Sequence, residues 1–271
     1  MALVTIAVPV YNVGKYLEQC LDSIVNQTVF ADLELLLVDD NSTDNSSEII
    51  NEYCCRYSNV FGFKNQRNLG SSESRNLALN HAKGKFIYFL DGDDLLKTNE
   101  CIEKLIGSDS DNNDLIVARM LRWYPETDNY EEGYHASYQN TPEFTQKTIE
   151  EVPNFYRHVC GTNMLIKLNF LRKYDIYYSS IIKKFEDDLF TFKLQSLASG
   201  IAFRHIDCYL HRQHRQSKMN LNVVYDYQDC LYVIKEAAKF IKNQPQAPEN
   251  YSRYFLDCQF NRLRNYFQNT K

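Results

Sequence analysis

Apolar residues in this chain alternate between short unbroken runs and helical stripes, with little linker between them. Val4-Thr5-Ile6-Ala7-Val8 is a run of strand length, closed by Pro9 and followed by a loop at Val10-Tyr11-Asn12. From Lys15 to Gln27, the residues Tyr16, Leu17, Cys20, Leu21, Ile24 and Val25 keep the i, i+3, i+4 spacing of an amphipathic helix. Leu33 to Val38 is a second strand, ending in Asp39-Asp40-Asn41-Ser42-Thr43-Asp44. Asp44 or Asn45 can cap the helix that carries Ile49, Ile50 and Tyr53. Val60 to Phe63 is a short third strand, Asn68 to Asn76 turns into a helix through Ala82, and Phe86 to Leu90 is a fourth strand.

This alternation over roughly the first 95 residues predicts an α/β fold, a mostly parallel sheet with helices on both faces. Ligands of such sheets bind beyond the carboxyl ends of the strands. Three polar clusters fall there: Tyr11-Asn12, Asp39-Asp40 and Asp91 to Asp94.

Further on, Cys101 to Ile106 reads as helix and Asp114 to Ala118 as strand. Arg119 to Asn140, polar and aromatic, reads as a hairpin or long loop over the site. Ile149 to His158 is expected to be helical, Asn163 to Lys167 a strand, and Ile201 to Tyr209 a strand pair at most. Asp187 or Asp188 lies near the start of a helix with Leu189, Phe190, Phe192, Leu194 and Leu197. Beyond about Asn220 the pattern is all helix, Tyr225 to Ile241 and Tyr251 to Phe267. The expected division is residues 1–218 and a C-terminal helical segment, 219–271, with no clear stop signal, as in a piece of a longer chain. The last helix mixes Tyr254, Phe255, Phe260, Leu263 and Phe267 with Arg253, Arg262 and Arg264. Docking onto the preceding domain is its plain reading; an oligomer, a partner or a peripheral membrane contact is the sharper one.

Composition narrows this little. The 271 residues, 44% hydrophobic and 24% charged, suit an ordinary globular chain, and a net charge of −5 disfavours nucleic acid as partner. No apolar run is long enough to span a bilayer, and the N-terminus lacks the positive start of a signal peptide. Eight cysteines without a Cys-x-x-Cys pair read as reduced thiols, which makes the expected location cytoplasmic. The 20 tyrosines and 16 phenylalanines are core material, though flat sugar and nucleobase surfaces also stack on such rings.

Asp91-Gly92-Asp93-Asp94 changes the picture. Three carboxylates at the mouth of a hydrophobic strand repel one another, and burial raises the cost. A divalent cation relieves that cost, and oxygen ligands favour Mg²⁺ or Mn²⁺ over zinc. The alternative is a helix start, with Asp93-Asp94-Leu95-Leu96 capping it.

Four motifs stand in register: Pro9-Val10-Tyr11-Asn12, Val38 to Asp44, Asn68-Leu69-Gly70 with Arg75-Asn76, and Asp91-Gly92-Asp93-Asp94. Together they resemble family 2 glycosyltransferases of the GT-A fold, the large inverting bacterial type, over about residues 3 to 215. The resemblance implies a UDP-sugar donor, a glycan or lipid-linked acceptor and bacterial surface-glycan synthesis, in the cytoplasm or peripherally at the inner face of the membrane. Pro9, Tyr11 and Asp40 would form the base pocket, Asn12 and Asn68 would also bind the nucleotide-sugar, and Arg75 would reach the nucleotide or the acidic cluster. Asp91, Asp93 and Asp94, with Gly92 between them, would hold Mn²⁺ or Mg²⁺ against the donor diphosphate. Glu186-Asp187 resembles the motif that carries the base, Asp187 taking the proton and Glu186 orienting the acceptor; Asp188 leaves that assignment ambiguous by one residue. His211-Arg212-Gln213-His214 resembles a basic loop over the diphosphate, with Arg212 supplying charge, His214 a metal or phosphate contact and Ser217 a hydrogen bond.

Three rival readings fit the residues to different degrees. A phosphate-responsive receiver would place Asp39-Asp40 on its first strand, and here a strand and helix precede it. A nucleotidyltransferase would want a glycine-rich basic loop, for which Val10 to Lys15 is a poor match. A non-catalytic sugar-nucleotide binding module stays open.

Overall fold

The computed structural model describes residues 2–132, 141–157, 160–182, 184–214 and 227–269. Four strands, β1 (Val4–Val10), β2 (Leu33–Asp39), β3 (Val60–Lys64) and β4 (Phe86–Phe89), pair in parallel in the order β3-β2-β1-β4. The connecting helices are α1 (Gly14–Val25), α2 (Ser46–Arg56) and α3 (Ser71–His81). The chain continues through β5 (Leu95–Leu96), α4 (Cys101–Ile106), β6 (Leu115–Tyr124), β7 (Asn129–Glu132) and β8 (Phe144–Lys147). It ends with β9 (Met164–Lys167), α5 (Leu168–Lys173), α6 (Glu186–Leu197), β10 (Ile201–Arg212), α7 (Tyr227–Asn243) and α8 (Glu249–Asn269). Among the described residues these strands form one sheet ordered β3-β2-β1-β4-β9-β6-β10-β5, with β7 beside β6 and β8 beside β10. The half of the sheet formed by β1 to β4 is parallel as expected; beyond β4 the sheet is mixed, since β9 runs antiparallel to both β4 and β6.

Two-residue alternation explains why both faces are covered. Ile6, Val8, Leu35, Leu37, Phe86 and Tyr88 face a core closed by α1, α2 and α4. Ala7, Leu36, Val38, Ile87 and Phe89 face the opposite core, under α3, α5 and α6. Helices α7 and α8 belong to that second core, where Val233, Ala237, Tyr251 and Phe255 are buried. Phe255 stacks on Phe192 of α6 with ring centroids 4.2 Å apart, the docking that the plain reading of the last helices expects. No helix among the described residues is long and apolar enough to cross a membrane.

Several elements differ from the pattern. Pro9 does not close β1, which pairs through Pro9 to Val10. The Val10 carbonyl bonds toward β2 and the Ala7 carbonyl toward β4, so Pro9 by alternation faces the β4 side, past its last paired residue. No ladder donor is needed there. Leu95-Leu96 form a strand against β10, so the helix-start reading of Asp93-Asp94 fails. Instead of one helix after Ile149 there are two 3-10 turns, Ile149–Glu151 and Pro153–Arg157, because Pro153 cannot donate within a continuous helix; His158 lies outside the described residues. β10 is one long strand with register shifts rather than a pair, and β8 and α5 were not expected. The hairpin after Arg119 is present as β6 and β7; residues 133–140 of that stretch lie outside the described residues.

Candidate active site

The carboxyl ends of β1, β2 and β4 meet the end of β10 and the start of α6, and the candidate residues gather there. Two loops are laced together first. Asn12 adopts a left-handed φ of 53°. Its side-chain oxygen accepts the Thr43 N–H at 2.8 Å, while its own N–H donates to Ser42 Oγ at 3.1 Å. Burial by itself raises the Asp39 carboxyl, but hydrogen bonds from Ser47 and Ser42 outweigh it and leave the group below its ordinary value.

Asp40 is buried and shapes the next loop. Its Oδ1 accepts from Asn65 Nδ2 at 2.7 Å and the Leu69 N–H at 2.8 Å, and its Oδ2 from the Gly70 N–H at 2.7 Å. A carboxylate offers about four acceptor positions, so one remains for a ligand N–H. Tyr11 and Asn68 are exposed on the rim of this pocket. Gly92 sits against Pro9: a Cβ there would lie 3.2 Å from the Pro9 carbonyl oxygen and 3.1 Å from Val13. That close approach is the reason for a glycine between the aspartates.

The three aspartates after β4 part company. Asp91 pairs with Arg75 at 2.7 Å, and Asp93 Oδ2 lies 3.0 Å from His214 Nε2. Asp94, expected as a metal ligand, is buried with both oxygens engaged: Tyr209 Oη donates at 2.5 Å and the Arg212 N–H at 2.8 Å. Burial, with the charges of Asp93 and Asp91, pushes its carboxyl well up. It anchors β10 to the cluster.

Arg212 is likewise committed. Its Nε donates to the Asp93 carbonyl at 2.7 Å and its Nη2 to Gln19 at 2.8 Å. The guanidinium lies between the rings of Tyr16 and Trp123, 5.0 and 4.7 Å from their centroids. The His214 ring packs on the other part of Tyr16 at 4.7 Å. Ser217 lies outside the described residues.

Asp187 sits in the first turn of α6, behind Phe185, which caps the helix with a left-handed φ of 63°. Asp187 Oδ1 lies 3.5 Å from Arg75 Nη1, and 34% of the side chain opens to solvent. Burial of its other sides raises the carboxyl to about 7; Arg75 opposes, and Glu186, Asp91 and Asp188 reinforce the rise. Asp188 points the other way, buried against Gln259 and Arg262 of α8. The two neighbours flagged as interchangeable in sequence therefore face different environments. Glu186 begins the helix, half-buried.

A family model described as glycosyl transferase family 2 matches residues 5–175, more than half of the chain. The chain belongs to glycosyl transferase family 2. Glycosyltransferase GlyG of Streptococcus pneumoniae is 29% identical over 80% of this chain and 73% of its own length. A poly(ribitol-phosphate) beta-glucosyltransferase of Bacillus spizizenii is 28% identical over 92% of this chain, which spans only 35% of that relative. The crystal structure of Staphylococcus aureus TarS 1–349 in complex with UDP-GlcNAc superposes with a TM-score of 0.80 at 23% identity, covering 96% of this chain and 72% of that one. The GT-A fold and the enzyme class expected from the motifs are thereby met. The family 2 match ends before Glu186, so Asp187 rests on the geometry above.

The residues of this glycosyltransferase fit a hard divalent cation. Asp91 and Asp93, with 36 and 29% of their side chains open, carry surplus negative charge at the mouth of the cleft, and His214 adds an imidazole beside Asp93. Among the described residues no three such donors already converge on one point. A Mg²⁺-type cation is commonly held by one or two carboxylates and completed by phosphate and water.

Sequence reading missed Gly161 and Tyr178. A Cβ at Gly161 would lie 2.3 Å from Tyr178 Oη and 2.5 Å from Asp187 Oδ1. Tyr178 stacks on Phe190 with centroids 3.8 Å apart and carries the Arg75 guanidinium over its ring at 5.1 Å. Ile176, Tyr178 and Ile182 are core residues. Nothing in the local sequence of a lone glycine or tyrosine distinguishes such a support from an ordinary loop.

Proposed function

We propose that this family 2 glycosyltransferase moves a sugar from a UDP-sugar to a hydroxyl of a glycan or lipid-linked acceptor, with inversion, in bacterial surface-glycan synthesis. The observation that carries the reading is the Asp187 carboxyl, raised to about 7, open to the cleft and joined through Arg75 to Asp91. A base titrating near working pH is present in its ionised form and still takes a proton readily.

In this reading Tyr11 lies against the pyrimidine, Asp40 accepts its ring N–H with its remaining acceptor position, and Pro9, Asn12 and Asn68 shape the pocket. Asp93 and His214, with Asp91, hold Mn²⁺ or Mg²⁺, which when bound supplies positive charge to the leaving diphosphate. Arg212 keeps the Asp93 segment and the end of β10 in place rather than meeting phosphate. Asp187 Oδ2 or Oδ1 takes the proton of the acceptor hydroxyl as that oxygen attacks the anomeric carbon, and Glu186 orients the acceptor. Asp188, turned into α8, is not the base. A single base with no carboxylate nucleophile fits one displacement. The uridine assignment is supported by the UDP-GlcNAc complex of TarS, and the acceptor class by the poly(ribitol-phosphate) relative.

A thermal-shift panel of UDP, GDP, CDP and dTDP, each with and without Mn²⁺, tests it, because a ligand of the folded state raises Tm by mass action. A UDP shift that requires Mn²⁺ is expected. A shift with another nucleotide instead changes the donor, and no shift with any removes the reading.

A further inference from the structure

The C-terminal helix reaches the residues on both sides of Asp187. Gln259 Nε2 donates to Asp188 Oδ2 at 2.9 Å, and Arg262 Nη1 pairs with the same oxygen. The Arg262 guanidinium also lies over the Phe185 ring, 4.7 Å from its centroid. Phe185 and Asp188 thus bracket Glu186-Asp187, and one α8 side chain grips both. Phe185 holds a left-handed backbone, which a bulky residue keeps only where its surroundings enforce it. Higher along the pair, Tyr251 Oη donates to Gln195, and Phe255 stacks on Phe192, so α8 touches α6 at several points between Tyr251 and Arg262.

We propose that Arg262 and Gln259 are positioning residues for transfer, fixing the first turn of α6 so that Asp187 faces the acceptor hydroxyl. This rests on the assignment of Asp187 as base. The charge logic agrees with the geometry. Asp188 is one of the groups that raise Asp187, and Arg262 is its ion-pair partner. Without Arg262, an unbalanced Asp188 charge remains next to the base and the bracket opens. The groups facing Asp187 from other elements, Arg75 of α3, Asp91 after β4, and Cys160 and Tyr178 from the loops around Gly161, are not contacts of Arg262. The helix lies beyond the residues that the family model matches.

The test measures UDP release from UDP-GlcNAc with Mn²⁺, water replacing the acceptor, for the wild type, Arg262→Met, Arg262→Lys, Asp188→Asn/Arg262→Met and Asp187→Asn. For Arg262→Met, kcat is expected to fall at least about tenfold with KM within about twofold, since misplacing a reacting group costs kcat before binding. Its acid limb is expected to move to higher pH. Arg262→Lys restores most of the rate, and the double variant recovers because no buried charge is left unpaired. Full kcat and an unmoved pH limb in Arg262→Met, while Asp187→Asn has lost turnover, would overturn the proposal and leave the base assignment standing. Turnover retained in Asp187→Asn would remove the base assignment itself. If Arg262→Met does not fold, Gln259→Leu, which keeps the ion pair, is read by the same criteria.

Discussion

Arg75 joins the two acidic halves of the site: its guanidinium lies 2.7 Å from Asp91 Oδ1 and 3.5 Å from Asp187 Oδ1. Buried between them over the face of Tyr178, it is held well above its ordinary value; burial alone would lower it, and both aspartates oppose that. Replacing it with methionine leaves two carboxylates facing each other in a poorly solvated cleft. Loss of one partner of a buried pair costs about 3–5 kcal/mol, and the openness of Asp91 brings the expectation to about 2–3 kcal/mol. Urea unfolding of Arg75→Met measures this. A wild-type midpoint would show that the bridge is not structural.

Asp187 bears on stability with a definite sign. Its folded value, about 7, lies above the ordinary 3.8 of an aspartate, so between those values the folded chain keeps a proton that the unfolded chain has lost. Stability therefore falls as pH rises through that window, and the penalty is complete above about 7. Asp187→Asn removes it. The variant is expected to be more stable than wild type at pH 8 by about 1 kcal/mol, discounted for solvent screening, and no more stable below pH ~4. Paired melting curves at the two pH values check this.

Gly161 has no room for a methyl group. A Cβ would stand 2.5 Å from Asp187 Oδ1 and 2.3 Å from Tyr178 Oη. Gly161→Ala is expected to push the carboxylate aside and lower kcat about 100-fold with little change in UDP affinity. Steady-state kinetics beside a UDP titration separates the two; a proportional loss of UDP binding would point to a wider collapse.

Asp40 accepts three hydrogen bonds from the loop it shapes. Asp40→Ala leaves those donors without their acceptor, at about 1–3 kcal/mol for a buried group, and dismantles the pocket floor. Loss of both stability and the UDP-induced Tm shift is expected. A variant that binds UDP normally would remove Asp40 from the nucleotide site.

The parallel half of the sheet was legible because its signals are local. Runs of four or five apolar residues, ending in Asp39-Asp40 or Asp91-Gly92-Asp93-Asp94, state both a strand and the end at which ligands of such sheets gather. What was hidden depends on contacts distant in sequence. Asp94 looks like its neighbours until Tyr209 and Arg212 arrive from β10. Asp187 and Asp188 are separated only by the turn of a helix and by α8 behind it. Arg212 reads as a loop cation, yet Tyr16 and Trp123 make it a packed core piece. The β5 and β8 edges escaped because so short a strand is decided by its partner, β10.

The most direct measurement divides binding from chemistry in one variant. UDP affinity with Mn²⁺ by calorimetry and UDP release from UDP-GlcNAc are measured side by side for wild type and Asp187→Asn. Retained affinity with turnover reduced by about a thousandfold or more is the predicted result, the size expected when a general base is removed from a single displacement. Unchanged turnover would contradict the assignment of Asp187 as the base.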